Sequence, residues 1–288
     1  MLLDKPSGRT SFQALSAVKR TLGTRRVGHT GTLDRFASGL LVVMCGRHTR
    51  LAMLAEALDK DYLARVRFGA ATDTLDPEGV IVDEGRVPGR AEVEAALPGF
   101  LGDILQAPPV YSAVHVDGRR AHELARAGKP VQPAARPVRV GRICMEAWEP
   151  PDAVLAVSCS SGTYVRSLAR DIAARLGTCA HVVELRRTRV GGFRVEEAVA
   201  PESFQAGRDL RDSRILFERC PPLHLLELGD PHAALLAAGT PPSDSWFPGT
   251  VPGEGVHGVA RRGGSLLALV ERSGGRWRCR AVFAGGGS

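Results

Sequence analysis

A chain of 288 residues and 30.7 kDa has material for one large domain and a small one. Its composition, 44% hydrophobic and 24% charged with 33 glycines and 19 prolines, is that of a folded globular protein and excludes a collagen-like, low-complexity or wholly disordered chain. A net charge of +7, carried by four lysines and thirty-four arginines, points to a polyanionic partner, although GC-rich codon usage would give the same arginine excess.

No apolar run reaches about 18 residues, so no membrane span is expected. The start, Met1-Leu2-Leu3-Asp4-Lys5-Pro6, meets charge and proline too early for a secretory leader. The six cysteines are scattered without a C-x-x-C pair, which fits neither a zinc site nor a disulfide framework. Reduced thiols in a cytoplasmic protein are the expectation.

Thr10-Ser11 followed by Phe12, Leu15, Val18 and Leu22 predicts a short helix closed by Gly23. Residues 24–39 read as a polar loop holding His29 and Asp34, leading into a buried strand over Leu40 to Val43. A helical pattern follows from Arg47 to Leu58. After it, Tyr62, Ala64, Val66 and Phe68 alternate with Leu63, Arg65 and Arg67, the period of a strand.

Further strands are expected at about 137–147, 153–159 and 181–190, and helices at 90–98, 119–127 and 163–176. Without a strict βαβ rhythm this mixture predicts an α+β fold. A composition shift at Cys220-Pro221-Pro222 divides a domain of residues 1–220 from a small β domain of residues 221–288. That second part is turn-rich (Gly239-Thr240-Pro241, Pro248-Gly249, Pro252-Gly253, Gly263-Gly264), and the Gly-Gly-Gly-Ser end reads as a frayed tail.

The stretch Gly28-His29-Thr30-Gly31-Thr32-Leu33-Asp34 combines small residues, which let a backbone lie close to a ligand, with an imidazole and a carboxylate. By itself such a loop is as well explained by a capped turn. It lacks the G-x-x-x-x-G-K-[ST] of a phosphate loop. The run from Gly28 to Val43, GHTGTLDRFASGLLVV, resembles the signature of the TruB family of tRNA pseudouridine synthases. Other blocks resemble that family in the same order: Asp4 to Ser11 (DKPSGRTS), Lys60-Asp61-Tyr62, and Gly69 to Gly79 (GAATDTLDPEG). Gln106 to Gly128 (QAPPVYSAVHVDGRRAHELARAG), Ser161 to Arg166 (SGTYVR) and Leu185 to Arg189 (LRRTR) continue the series. Together they span residues 4–193. More weakly, residues 221–288 resemble a PUA-like RNA-binding domain.

The resemblance implies a pseudouridine-synthase catalytic fold, a mixed and largely antiparallel sheet with flanking helices. It implies isomerisation of a uridine to pseudouridine at position 55, in the T-loop of tRNA, with base flipping and without metal, cofactor or guide RNA. Asp34 matches the nucleophile and Arg166 its guanidinium partner. Tyr62 matches a residue that packs on the target base and is the candidate for removing the C5 proton. His29, Tyr164 and Leu185 match positions that contact the flipped nucleotide or fill the space it leaves.

Residues 106–128 match a mobile insertion that clamps the RNA, with three arginines in its helix-like part, and Arg186, Arg187 and Arg189 are a second candidate for phosphate contact. A monomer is expected, with the T-arm stem-loop of tRNA as partner. Three departures stand out. Arg35-Phe36 replaces the usual Pro-Leu and sets a charge next to Asp34; His122 stands where Tyr is common; and the start leaves little of an N-terminal strand before Lys5.

Overall fold

In a computed structural model, the structure describes residues 1–116, 118–220, 223–247, 253–261 and 264–283, with the backbone alone described for His122 and Arg261. Asp117, the Pro221-Pro222 pair, Pro248-Gly249, Pro252, Gly263 and the Gly-Gly-Gly-Ser end lie outside those residues, as does the His122 side chain.

The chain starts in a strand, β1 (Leu2–Lys5), whose four residues all pair with β3 (Ser38–Cys45). The short start therefore still supplies a sheet strand, because Leu2 and Leu3 bury on opposite faces. Between them lies α1 (Ser11–Leu22), opened by a reciprocal cap in which the Thr10 hydroxyl accepts from Gln13 N and Gln13 Oε1 accepts from Thr10 N. Ala14, Leu15 and Val18 turn its apolar stripe onto the sheet. The expected loop of residues 24–39 contains a strand, β2 (Val27–Thr30), added antiparallel to β3. Its Gly-His-Thr composition hides the alternation that marks strands.

The helical pattern after Arg47 divides into a 3₁₀ segment, Gly46–Leu51, and a short α2 (Ala52–Glu56). Strand β4 (Lys60–Phe68) has the expected period of two, with Lys60, Tyr62, Ala64, Val66 and Phe68 all buried. A hairpin of β5 (Ala70–Thr72) and β6 (Ile81–Glu84) and helix α3 (Arg90–Ala96) lead to β7 (Gly102–Gln106), an edge strand that the sequence pattern did not mark. The following segment holds the small hairpin β8 (His115–Val116) and β9 (Arg119–Arg120) and helix α4 (Ala121–Arg126). Long strands β10 (Arg136–Glu149) and β11 (Asp152–Cys159), helix α5 (Val165–Arg175), β12 (Ala180–Val190) and the short β13 (Phe193–Arg194) complete this part.

Its main sheet runs β1-β3-β12-β4-β11-β10-β7, with β2 and β13 attached at the side. All its pairings are antiparallel except β3 with β12. At that parallel join a Cβ on Gly39 would stand 2.3 Å from the Arg187 carbonyl oxygen, and Gly39 has φ +106°. Only glycine tolerates both conditions, so the sequence fixes the place where the two strands meet.

One sheet face packs on α1 and α5 through Leu15, Val18, Val66, Leu155, Leu168 and Ile172. The opposite face carries Leu40, Val42 and Val190, with Leu54 of α2 packed on it; α6 (Ala206–Asp209) packs through Ala206 against the first cluster, and α7 (Ile215–Arg219) continues the second through Leu216 and Phe217 towards a second sheet. That sheet has the order β14-β15-β16-β17, made of β14 (His224–Leu228), β15 (Gly255–Arg261), β16 (Leu266–Ser273) and β17 (Arg276–Val282). Leu266, Leu269 and Phe283 share one apolar cluster with Leu216, Phe217 and the back of the main sheet. Strand content after residue 222 is as expected. Helix α8 (Asp230–Ala237) is an addition, required because β14 and β15 are parallel and need a crossover.

Candidate active site

Asp34 lies in the turn between β2 and β3, and a single sequence block, residues 4–11, holds that turn. Ser11, at the first position of α1, accepts from Leu33 N at 2.9 Å and donates to Leu33 O. Gly8 N donates to Arg35 O at 2.9 Å, and Ser7 Oγ donates to Phe36 O at 2.6 Å. Lys5, fully buried, directs its ammonium to the carbonyls of Pro6, Arg9 and Arg35. The DKPSGRTS block thus acts as a clamp on the aspartate loop.

Arg35, which follows Asp34 in the chain, makes its ion pair elsewhere. Arg35 turns outward, 62% exposed, donating to Gly8 O and facing Glu78 at 3.7 Å, while Phe36 is buried beneath it. The loop that proline would stiffen is held by the hydrogen bonds to Arg35 O and Phe36 O.

Asp34 Oδ2 is 2.9 Å from Arg166 Nε, and the aspartate side chain is 39% exposed while the arginine is 4% exposed. The carboxylate can be reached from solvent; its partner cannot. The pair is a close ion pair that favours the ionised carboxylate.

Arg166 is fixed from its other side, where Nη1 donates to Asp76 Oδ2 at 3.0 Å and to Thr74 O at 2.7 Å, and Nη2 donates to Tyr111 O at 3.1 Å. Asp76 is buried and also accepts from Thr74 Oγ1 and Glu78 N. Removal of solvent pushes the Asp34 carboxyl above its usual range; Arg166 and Lys5 oppose the rise and Asp76 adds to it.

Tyr62 is buried on β4 opposite Arg187 of β12. Burial pushes its phenol up, against the pull of Arg187, and nearby Asp34 adds to the rise. A phenol held there is protonated at neutral pH, which suits packing on a base and sets a demand on any role in proton removal. His29, on β2, has a buried Nδ1 with no partner among the described residues, and its pKa is lowered by burial and by the charges of Arg187 and Lys19. Both effects favour the neutral form of the ring.

Tyr164 sits just before α5, where its N donates to Gln106 Oε1 at 2.8 Å and Arg136 lies over its ring at 5.4 Å. Leu185 is buried in the same apolar cluster as Tyr62, opposite Ala64 on β4. The root of the 106–128 segment is tied to α5 through Ser167 Oγ and Arg170 Nη2, both donating to Ala107 O. Arg119, Arg120 and Arg126 of that segment are exposed and make no ion pair among the described residues.

The second basic stretch does not supply free cations. Arg186 pairs with Asp4 at 2.7 Å, Arg189 pairs with Asp61 at 2.6 Å, and Arg187 is 1% exposed. Sequence reasoning assigned no role to Asp76, Lys5 or Gln106. Asp76 carried a signal in the TDTLDPEG block, but only folding shows which of its acids turns inward.

A solvent-reachable carboxylate held by a buried arginine thus stands near a buried tyrosine on the central strands of a mixed sheet. Solved structures share this fold: that of an H/ACA RNP bound to a substrate RNA containing 2′-deoxyuridine aligns over 98% of this chain and 84% of its own (TM-score 0.71, 23% identity). A Cbf5-Nop10-Gar1 complex aligns over 97% and 82% (TM-score 0.70, 24% identity).

The sequence identifies the family. A family model described as TruB family pseudouridylate synthase (N terminal domain) matches residues 19–165, and one described as tRNA pseudouridylate synthase B C-terminal domain matches residues 166–217. The chain is 44% identical over 206 residues to tRNA pseudouridine synthase B of Borreliella burgdorferi (strain ZS7), spanning 70% of this chain and 73% of that one. To the same-named protein of Pseudomonas aeruginosa (strain UCBPP-PA14) it is 45% identical over 206 residues, spanning 71% and 68%. The chain belongs to the TruB family.

Proposed function

We propose that this protein converts uridine to pseudouridine at position 55 in the T-loop of tRNA, taking the flipped base into the cleft above Asp34. The observation that carries this reading is the reachable Asp34 carboxylate 2.9 Å from buried Arg166, in a chain so similar to proteins named tRNA pseudouridine synthase B. The reaction opens the N1–C1′ bond and closes C5–C1′ while one proton leaves C5 and one arrives at N1. No atom or electron is exchanged with a donor, so the chemistry asks for no cofactor or metal.

In this reading Asp34 supplies the negative charge or nucleophile that the electron-poor centre, C1′ of the sugar or C6 of the base, requires, and Arg166 keeps it ionised. Tyr62 packs on the uracil and is the candidate for taking the C5 proton. His29, neutral and flat, occupies the stack that the flipped base vacates, and Tyr164 and Leu185 close the pocket around it. Exposed Arg119, Arg120 and Arg126 close residues 106–128 on the RNA backbone. Residues 1–220 form the catalytic domain and residues 221–288 a PUA-like domain that extends the RNA contact. The protein works as a cytoplasmic monomer without a guide RNA. No helix among the described residues is long and apolar enough to cross a membrane.

The test is tritium release from a T-arm stem-loop labelled at C5 of uridine, with no other RNA and with chelator present. Release in step with pseudouridine formation is expected, together with its loss in Asp34→Asn at unchanged RNA binding. Absence of release from the wild-type protein would overturn the reading, and activity in Asp34→Asn would overturn the role of Asp34.

A further inference from the structure

Arg187 is among the largest fully buried side chains of the protein, and it makes no ion pair with a carboxylate among the described residues. Its Nε donates to Leu40 O at 2.8 Å and its Nη2 to Gly31 O at 3.0 Å. A guanidinium taken out of water without an anion is costly, and surface-seeking arginine is seldom placed so without a function.

Three strands converge on it. Arg187 stands opposite Tyr62 of β4 on one side and opposite Gly39 of β3 on the other. Across the pair with Tyr62 its charge opposes the rise that burial gives the phenol. Its grip on Gly31 O holds the turn that leads to Asp34, where a Cβ on Gly31, itself at φ +73°, would stand 3.4 Å from Arg187 Nη1. The same point is 3.7 Å from Cε of Lys60, whose ammonium is spent on the carbonyls of Glu56 and Leu58. Two buried cations thus lie together under the loop, and the charge of Arg187 is felt at Lys5, His29, Lys60 and Tyr62.

We propose that Arg187 is a positioning residue for the isomerisation, a buried fork that holds the Tyr62 ring and the Gly31 turn in fixed relation and makes the floor of the cleft electropositive. The inference rests on the synthase reading. While the N1–C1′ bond is open, the ring carries more negative charge than bound uridine, and a fixed cation beneath it favours that stage over the ground state. Because Arg187 is out of reach of solvent, it contributes to turnover and not to RNA affinity.

Arg187→Met and Arg187→Lys are to be compared with the wild-type protein for tritium release at saturating stem-loop, for stem-loop affinity by filter binding, and for Tm. The expected result for Arg187→Met is a fall in kcat of about tenfold or more with affinity within about threefold, and partial recovery in Arg187→Lys. A folded Arg187→Met with wild-type kcat, or a loss confined to affinity, overturns the proposal.

If Arg187→Met does not fold, Arg187→Lys decides. It keeps the charge but cannot reach Leu40 O and Gly31 O together, so kcat falls while affinity holds; a wild-type kcat overturns the proposal. Wild-type release is measured in the same experiment, and its absence would instead remove the synthase reading.

Discussion

Asp34 and Asp76 share one guanidinium. Arg166 meets Asp34 through Nε at 2.9 Å and Asp76 through Nη1 at 3.0 Å, but Asp34 opens to solvent while Asp76, 7% exposed, is closed off from it. The buried carboxylate sets the orientation of the arginine, and the arginine in turn orients the reachable one.

Asp76→Asn therefore weakens the attachment of Arg166 without touching the reacting atoms. A small misplacement of a catalytic group costs up to about a hundredfold in rate, and a fall in kcat of about ten- to a hundredfold with a smaller change in KM is expected. Steady-state kinetics on the stem-loop check this; an unchanged kcat would show that Thr74 O and Tyr111 O hold Arg166 by themselves.

The pH dependence follows from the raised pKa of Asp34. Catalysis that needs the carboxylate is complete above that pKa and is lost as pH falls through it. The acid limb of kcat/KM should then lie above the ordinary carboxylate value of about 4. A profile measured from pH 4 to pH 8 tests it, and a limb at or below that value would contradict it. By linkage, the folded state is penalised for the ionised form at neutral pH, so Asp34→Asn is expected to leave Tm unchanged or raise it.

Gly39→Ala tests the join of β3 and β12. The new Cβ would lie 2.3 Å from Arg187 O and 2.7 Å from Arg187 N, both backbone atoms that move only with their strand. A loss of about 3 kcal/mol is expected in chemical denaturation, from overpacking and left-handed strain together. Wild-type stability would mean that the strands separate at little cost.

Arg35→Gln removes a charge that is paired on the surface with Glu78 and does not reach Asp34. Exposed pairs contribute little, so kcat within about twofold of wild type is expected. A large loss would mean that Arg35 meets the RNA.

The alternation of Tyr62 to Phe68 fixed the face of β4, and the apolar stripe and caps of α1 fixed that helix, because these signals are local and the core only confirms them. β2, β7 and α8 were not legible. β2 is made of small and polar residues, β7 is an edge strand with exposed Asp103 and Leu105, and α8 is an apolar run without alternation or a sharp amphipathic face.

The candidate site divides the same way. Asp34, Tyr62, Arg166, His29, Tyr164 and Leu185 stood out in motifs, each a contiguous word in the sequence. What those words do to one another depends on contacts between residues far apart in the chain: Arg166 with Asp76, Arg187 with Gly31 and Leu40, and Lys5 with Arg35.

For charged residues the chain by itself determined number and order, and the fold determined meaning. Arg186, Arg187 and Arg189 read alike as a basic run, yet two are neutralised by Asp4 and Asp61 while the third is buried without a carboxylate. The cause is physical. The effect of a charge depends on its distance to other charges and on the water it has lost, and both quantities come into being only when the strands assemble.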